Sequence, residues 1–353
     1  MTVDFKKTLL SKQKPVWEEI QSYLENLSFK DSAIPKRYSS LIKFHKEMAS
    51  DYPERKGKYV RPTLLLLTAE AMGANQKKTL KTAAAMQTSE EWALIHDDFE
   101  DDSLKRRGKD ALHRIYGPEL AVNAGDALHV LMWKMLADNK KILGGEKTYE
   151  LFNEFSKMFN RTVLGQTVEI KWAKENNLNL CDDDYFFIID GKTVYYTIAG
   201  PMRLGAIIAG ATKKQLDLLF EFARPLGRCF QIRDDLLDVT SDFGGLKKQT
   251  GNDIYEGKRT LILIHLLRTA SSKDRKAIIK ILKKTRDEKT EEEVRFIIDL
   301  MKKYKSIDYA QEKAEKLALQ AREIFDKKLS FLKHSPAREE IKAGIDFILN
   351  RDH

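Results

Sequence analysis

Disulfides, sheets and membrane spans all lack their raw material in this sequence. It holds two cysteines, Cys181 and Cys229, far apart along the chain. That is too few for a disulfide framework and fits a reducing cytosol. Glycine (18) and proline (8) are sparse in 353 residues, and strand-like alternation bounded by turns is hard to find, which argues against a sheet fold. No uninterrupted apolar run approaches the roughly 18 residues that a membrane span needs. The amino terminus, MTVDFKKTLLSKQKP, is polar and lacks the apolar centre of a secretory signal. The expectation is a soluble, cytoplasmic protein with no transmembrane segment.

Charge, by contrast, is plentiful. A formal net charge of +9 admits nucleic acid, an anionic membrane surface or small anionic substrates as partners. Much of the excess sits in KILKKTRDEK and MKKYK, on stretches that also carry acids, the pattern of a solvated face. No nucleic-acid-binding motif accompanies it, so nucleic acid is not an expected partner. Small anions remain.

The apolar residues recur at three and four: Leu64, Leu67 and Ala71; Ala121, Ala124, Leu128 and Leu131; Phe152, Phe155, Phe159 and Val163; Leu216, Leu219, Phe220 and Phe222. That spacing predicts helices. Breaks are expected at Pro53 to Lys58, Gly73 to Asn75, Gly117-Pro118, Gly144-Gly145, Gly200-Pro201 and Gly244-Gly245. The reading is all-α: ten or more helices in a single large helical bundle. No flexible linker divides the chain, so residues 1–353 are read as one domain. Within it lie an N-terminal packing helix in 1–30, a motif-bearing core over 57–260 and amphipathic helices over 261–353.

The chain is organised around Leu94 to Arg107, LIHDDFEDDSLKRR. Asp97, Asp98 and Asp101 stand at i, i+1 and i+4, so Asp97 and Asp101 share a helix face. Like charges at that spacing oppose helix formation by about 0.2–0.5 kcal/mol per pair and call for a compensating cation. The pattern recurs in FQIRDDLLD as Asp234, Asp235 and Asp238, behind Gln231. One acidic run is ordinarily a solvated face; two copies of DDxxD embedded in apolar residues are not. Carboxylates without clustered Cys or His suit a hard ion such as Mg2+, which keeps waters and binds substrate phosphates.

Cations stand near both motifs. Lys58 and Arg61, in GKYVRP, are either a solvated helix start or an anion site. Arg106 and Arg107 follow the first motif, and arginine forks match phosphate oxygens bidentately. GQTVEI puts Gln166 and Glu169 at i, i+3, and GKT supplies Lys192 and Thr193 without the frame of a P-loop. Beyond the second motif, GGLKKQTGNDIYEGKRT carries Lys247, Lys248 and Lys258. It is either a simple connection or a loop that closes over diphosphate. The carboxyl terminus, FILNRDH, ends in Arg351 and His353.

In this order, LIHDDFEDDSLKRRG, GQTVEI, GKT, FQIRDDLLD and GxDxxxGKRT closely resemble the trans-isoprenyl diphosphate synthases, in their archaeal short-chain form. The resemblance runs from about Gly57 to Thr260. It implies the all-helical isoprenoid synthase fold with a deep central cavity, a homodimer, and head-to-tail joining of an allylic diphosphate to isopentenyl diphosphate with release of diphosphate. By the same resemblance Asp97 and Asp101 bind two Mg2+ ions and Asp234 a third, with Asp98, Asp235 and Asp238 assisting. Arg106, Lys192 and Lys258 hold the allylic diphosphate, while Lys58, Arg61 and Arg107 hold that of isopentenyl diphosphate. Thr193 and Gln231 line the cavity beside the developing cation, and Gln166 and Lys248 join the substrate-binding set. One position departs from the pattern. Seven residues before Asp97 the family has His or Gln, and here stands Glu90, expected to orient a cation.

Product length is expected to be set along the helix below Asp97, by Trp92, Ala93, Ser89 and Thr88. In the family, bulky residues at the Trp92 and Ala93 positions limit elongation, and the animal farnesyl enzymes have aromatics at both. One aromatic favours C20 over C15. Three alternatives share some of these features. A terpene cyclase would have no use for the second set of cations. A di-iron bundle needs Glu-x-x-His pairs, and none is present. A non-catalytic synthase subunit would be expected to lose aspartates, and both motifs are complete.

Overall fold

The computed structural model describes residues 3–27, 34–240 and 250–349. Seventeen α-helices run through them, with one antiparallel pair of two-residue strands, β1 (Lys105–Arg106) and β2 (Lys109–Asp110). The chain forms two compact units. The first comprises residues up to Glu154 with Pro201–Thr212 and Leu332–Ile341, and the second Phe155–Gly200, Lys213–Phe331 and the residues from Lys342.

The first unit holds α1 (Phe5–Glu25), α2 (Ser39–Glu54), α3 (Val60–Ala71), α4 (Gln76–Glu100), α5 (Leu112–Tyr116), α6 (Pro118–Asp138), α7 (Lys140–Leu143) and the opening of α8 (Gly145–Lys174). α3 is apolar on every side, and Leu64 to Leu67 are accordingly buried. α4 starts at Asn75, whose Oδ1 accepts the Lys77 N–H at 2.8 Å. Its interior from Thr82 to Ser89 is fully buried although half polar, so it belongs to the centre of the unit rather than its surface. The N-terminal helix α1 docks with Val16 and Ile20 completely covered, flanked by Lys12–Glu70 and Glu19–Lys81 ion pairs, both at 2.7 Å.

Most of the second unit is built from the rest of α8, α9 (Asp182–Ile189), a π-helical stretch over Asp190–Ala199, and, past α10 (Gly200–Ile208), α11 (Lys213–Thr240). After these come α12 (Asn252–Glu256), α13 (Leu261–Thr269), α14 (Ser272–Leu282), α15 (Glu291–Lys303), α16 (Ser306–Lys328) and α17 (Ala337–Leu349). α15 opens on a capping box between Thr290 and Glu293. α16 lies along α11 with Ala310, Ala314, Ala318 and Ala321 buried. Small residues at i, i+4, i+8 and i+11 let two backbones approach closely.

The break expected at Gly200-Pro201 does not exist. α9, the π stretch and α10 are one uninterrupted helix. The ladder is i+5 up to Gly200, whose N–H donates to Tyr195 O, and the α-helix resumes past Pro201. Gly200 fits because a Cβ there would stand 2.5 Å from Met158 Sδ. The expected break at Gly244-Gly245 lies outside the described residues.

Candidate active site

In the first unit the DDxxD sequence occupies the last turn of α4, with Asp101 as its C-cap. Asp97 and Asp101 are half-buried on one side. Asp98 faces the other way and is fully buried. Its Oδ2 accepts the Tyr52 hydroxyl at 2.6 Å, and the Arg106 guanidinium closes on both oxygens through Nε (3.1 and 2.9 Å) and Nη2. Tyr52 also accepts the Leu112 N–H at 3.2 Å. Burial and the Asp98 charge hold the Tyr52 hydroxyl above its ordinary range, so it remains a donor at neutral pH. Asp98 was expected to assist a metal ion. Its carboxylate accepts from both Tyr52 and Arg106. The Arg106 fork, expected to grip diphosphate, is committed to Asp98 through Nε and Nη2.

Arg107 follows in the left-handed region at φ 51°. Its guanidinium donates to Tyr52 O at 3.0 Å and to both Glu91 oxygens at 2.8 and 3.2 Å, and lies 3.8 Å from Glu90. Arg61 reaches Glu90 at 3.0 Å. Gly57 makes the fit possible, since a Cβ on it would stand 2.7 Å from Arg107 Nη2. Glu90 therefore sits between two cations. Glu91 is fully buried, receives the Gln87 amide at 2.7 Å, and is pushed by burial up to about 7 against the pull of Arg107. Lys58 is exposed beside this group, while Tyr59, at φ 56°, buries its hydroxyl.

Down α4, Ser89 and Thr88 are buried, their hydroxyls donating to Met86 O at 2.7 Å and Met135 Sδ at 3.5 Å. Trp92 and Ala93 are half-buried. Trp92 stacks on His129 of α6, ring centroids 4.2 Å apart and 12° from parallel.

The second unit repeats the arrangement on α11. Asp234 and Asp238 are half-buried, and Asp235 is buried. Asp235 accepts the Tyr185 hydroxyl at 2.8 Å and the Gln231 amide N–H at 2.8 Å. Burial, then the charges of Asp253 and Asp234, hold its carboxyl well above the usual carboxylate range. It too was expected to assist a metal, and its oxygens accept from Tyr185 and Gln231. Gln231 accepts the Thr193 hydroxyl at 2.8 Å with its other end, so the amide is fixed in one orientation. Gly227 admits this approach of α11 to the π stretch, because a Cβ there would stand 2.8 Å from Val194 Cα. Asp238 accepts the backbone N–H groups of Asn252 and Asp253, each at 3.1 Å, and so caps α12 rather than presenting free oxygens.

Lys192 is held by Glu169 at 2.6 Å, with Gln166 one turn earlier on α8. Lys258 is held by Glu256 at 2.6 Å. Glu256 is itself 3.3 Å from Arg286, whose Nη2 donates to Asn252 at 2.6 Å. Lys258 also lies 4.0 Å from Asp253. Lys247, Lys248, Arg351 and His353 lie outside the described residues. The sequence gave Tyr52, Tyr185, Glu91 and Glu256 no role. Only Glu256, two residues before Lys258 in EGKRT, carried a local signal.

No group of three or more His, Cys, Asp or Glu side chains gathers among the described residues. The half-buried carboxylates Asp97 and Asp101 come instead as a pair one helical turn apart. Such a pair, all oxygen and at the negative end of a helix dipole, suits a divalent ion that completes its shell with water and ligand phosphate.

Residues 42–301 match the polyprenyl synthetase family. The chain belongs to that family. A short-chain isoprenyl diphosphate synthase of Methanothermobacter thermautotrophicus is 34% identical over 297 residues, 84% of this chain and 87% of that one. A geranylgeranyl diphosphate synthase of Sulfolobus acidocaldarius is 33% identical over 260 residues, 74% of this chain and 77% of the relative. Among solved structures, the geranylgeranyl pyrophosphate synthetase of Pyrococcus horikoshii superposes with a TM-score of 0.83 at 30% identity, covering 98% of each chain. At 23% identity the Corynebacterium glutamicum geranylgeranyl pyrophosphate synthase, solved with isoprenyl diphosphate and magnesium, shares the fold at a TM-score of 0.84 over 99% of this chain and 100% of that one. The all-α isoprenoid synthase fold follows. No helix among the described residues is long and apolar enough to cross a membrane.

Proposed function

We propose that this polyprenyl synthetase is a Mg2+-dependent prenyltransferase that couples an allylic diphosphate to isopentenyl diphosphate, releases diphosphate and stops at the C20 product. The observation that carries the proposal is the repeated motif geometry. In each unit the second aspartate is buried and accepts a tyrosine hydroxyl, while the first is only half-buried. The relatives named for C20 synthesis at 33% and 30% identity support the product length. Three Mg2+ ions, held by Asp97, Asp101 and Asp234, would neutralise the leaving diphosphate.

The chain's own residues do the rest. Lys192, held by Glu169, and Lys258, held by Glu256, exchange those carboxylates for phosphate oxygens of the allylic substrate. Lys58, Arg61 and Arg107 take the isopentenyl diphosphate, with Glu90 and Glu91 setting the two arginine forks. Donors fixed before the reaction stabilise charge on the leaving group without reorganising. The Thr193–Gln231 pair presents fixed dipoles to the allylic cation, and apolar neighbours keep water from it. No side-chain nucleophile is needed. A homodimer is the assembly that the family resemblance implies for this chain, at work in the cytoplasm.

The test is incubation with labelled isopentenyl diphosphate and each allylic primer, with and without Mg2+, followed by sizing of the dephosphorylated products. Magnesium-dependent elongation ending at C20 is expected. Diphosphate release without isopentenyl incorporation would indicate a cyclase, and no turnover of any primer a silent subunit.

A further inference from the structure

Trp92 does not stand alone. His129, stacked against it, accepts the indole N–H of Trp133 at Nε2, 2.8 Å away. Trp133 in turn stacks on Phe152, with centroids 5.2 Å apart and rings 10° from parallel. Four rings from α4, α6 and α8, all in the first unit, form one ladder. An acceptor at Nε2 places the imidazole proton on Nδ1. Burial pushes His129 below its ordinary value, which keeps the ring neutral and the acceptor available. His96 meets Trp92 edge-on at 6.1 Å, so the indole is confined from two sides.

A tryptophan on a helix surface has several rotamers, and a barrier to a growing chain works only if it cannot swing aside. Trp92 lies five residues before Asp97, about 7.5 Å down the helix axis, where an elongating chain leaving the diphosphate site would reach it. Below, Thr88 and Ser89 are small and buried and offer little obstruction of their own.

We propose that His129 and Trp133 are specificity-determining positioning residues: with Phe152 they lock Trp92 in place, and the ladder as a whole, rather than Trp92 alone, fixes product length. The inference rests on the synthase reading above. The test compares wild type with His129→Ala, His129→Phe and Trp133→Phe, using one allylic primer, labelled isopentenyl diphosphate and Mg2+, and reads both product length and the rate of the first condensation. His129→Ala is expected to shift the main product by at least one isoprene unit, with the first condensation within about twofold of wild type. His129→Phe, which keeps a ring on Trp92, should restore the wild-type length. Trp133→Phe keeps the stack on Phe152 but removes the N–H, and should give a mixture. Wild-type product length in both His129→Ala and Trp133→Phe would overturn the proposal. If His129→Ala does not fold, an unchanged length in Trp133→Phe is sufficient to overturn it. A wild type that never elongates would overturn the synthase reading itself, a result distinct from either.

Discussion

The buried second aspartate of the first motif predicts that neighbouring aspartates differ in the size of their effect on stability. Asp98 is fully buried, accepting Tyr52 at 2.6 Å and Arg106 at 2.9 and 3.1 Å. Breaking a buried ion pair by removing one charge costs about 3–5 kcal/mol. Arg106 keeps 17% side-chain exposure, and asparagine can still accept from Tyr52, so Asp98→Asn should cost about 2–3 kcal/mol. At about 2 °C per kcal/mol for a chain of this size, Tm should fall by about 4–6 °C. Asp97→Asn removes one partner of a like-charge i, i+4 pair, worth about 0.2–0.5 kcal/mol, but also an attraction to the Arg106 guanidinium, so Tm should stay within about 1 °C of wild type. The assay is thermal unfolding by circular dichroism in excess chelator without substrate, so that neither metal nor diphosphate binding contributes. Both variants should lose magnesium-dependent elongation, Asp97→Asn through its metal contact and Asp98→Asn through a displaced Arg106. Equal melting temperatures for the two variants would refute the assignment of Asp98 as an anchor.

Two further outcomes follow from the carboxylates before the motif. Glu91 is raised by burial to about 7 from an ordinary 4.5, so the native state holds its proton more tightly than the unfolded chain. Its stabilising effect is complete below pH 4.5 and is lost as pH rises to about 7. Tm of the wild type should therefore fall more steeply than that of Glu91→Gln between pH 5 and 7; parallel curves would show that Glu91 is ionised throughout. Glu90→Gln unties Arg61 and Arg107 and should raise KM for isopentenyl diphosphate about fivefold, the effect of roughly 1 kcal/mol, with kcat little changed. A lower KM would mean that Glu90 repels the substrate instead of arranging its cations.

Much of the architecture could be read before the structure because helices announce themselves locally. The three-and-four spacing in Ala121 to Leu131 and the DDxxD motifs are properties of five to eleven consecutive residues. What escaped was non-local or conformationally rare. Tyr52 meets Asp98 across 46 residues, Tyr185 meets Asp235 across 50, and Glu169 meets Lys192 across 23. No periodicity records such partnerships. The π stretch escaped for a different reason. GKTVYYTIAGP reads as a helix running into a Gly-Pro stop, and only the wider turn lets the helix pass through. The motif aspartates were legible as a set, but their division of labour was not, since i and i+1 differ by 100° around a helix and the sequence does not say which side is the core.

That division explains why the motif has three aspartates when two face outward. α4 ends at the motif, and a helix end frays unless something beyond its own ladder holds it. The exposed pair cannot do so. Asp97 and Asp101 repel each other, and both sit at the end of the helix where the dipole disfavours anions. Asp98 supplies what they lack, tying the last turn to Tyr52 of α2 and to Arg106 of the strand pair that follows. The same division recurs on α11, where Asp235 is tied to Tyr185 of α9. On α11 the last aspartate, Asp238, has backbone donors of its own from Asn252 and Asp253, so the repulsion between outward carboxylates belongs to α4. The relief of that strain is available only to a cation. A divalent ion between Asp97 and Asp101 removes the mutual repulsion and the clash with the dipole together, whereas a lysine at the same place would remove them permanently and leave nothing for diphosphate to complete.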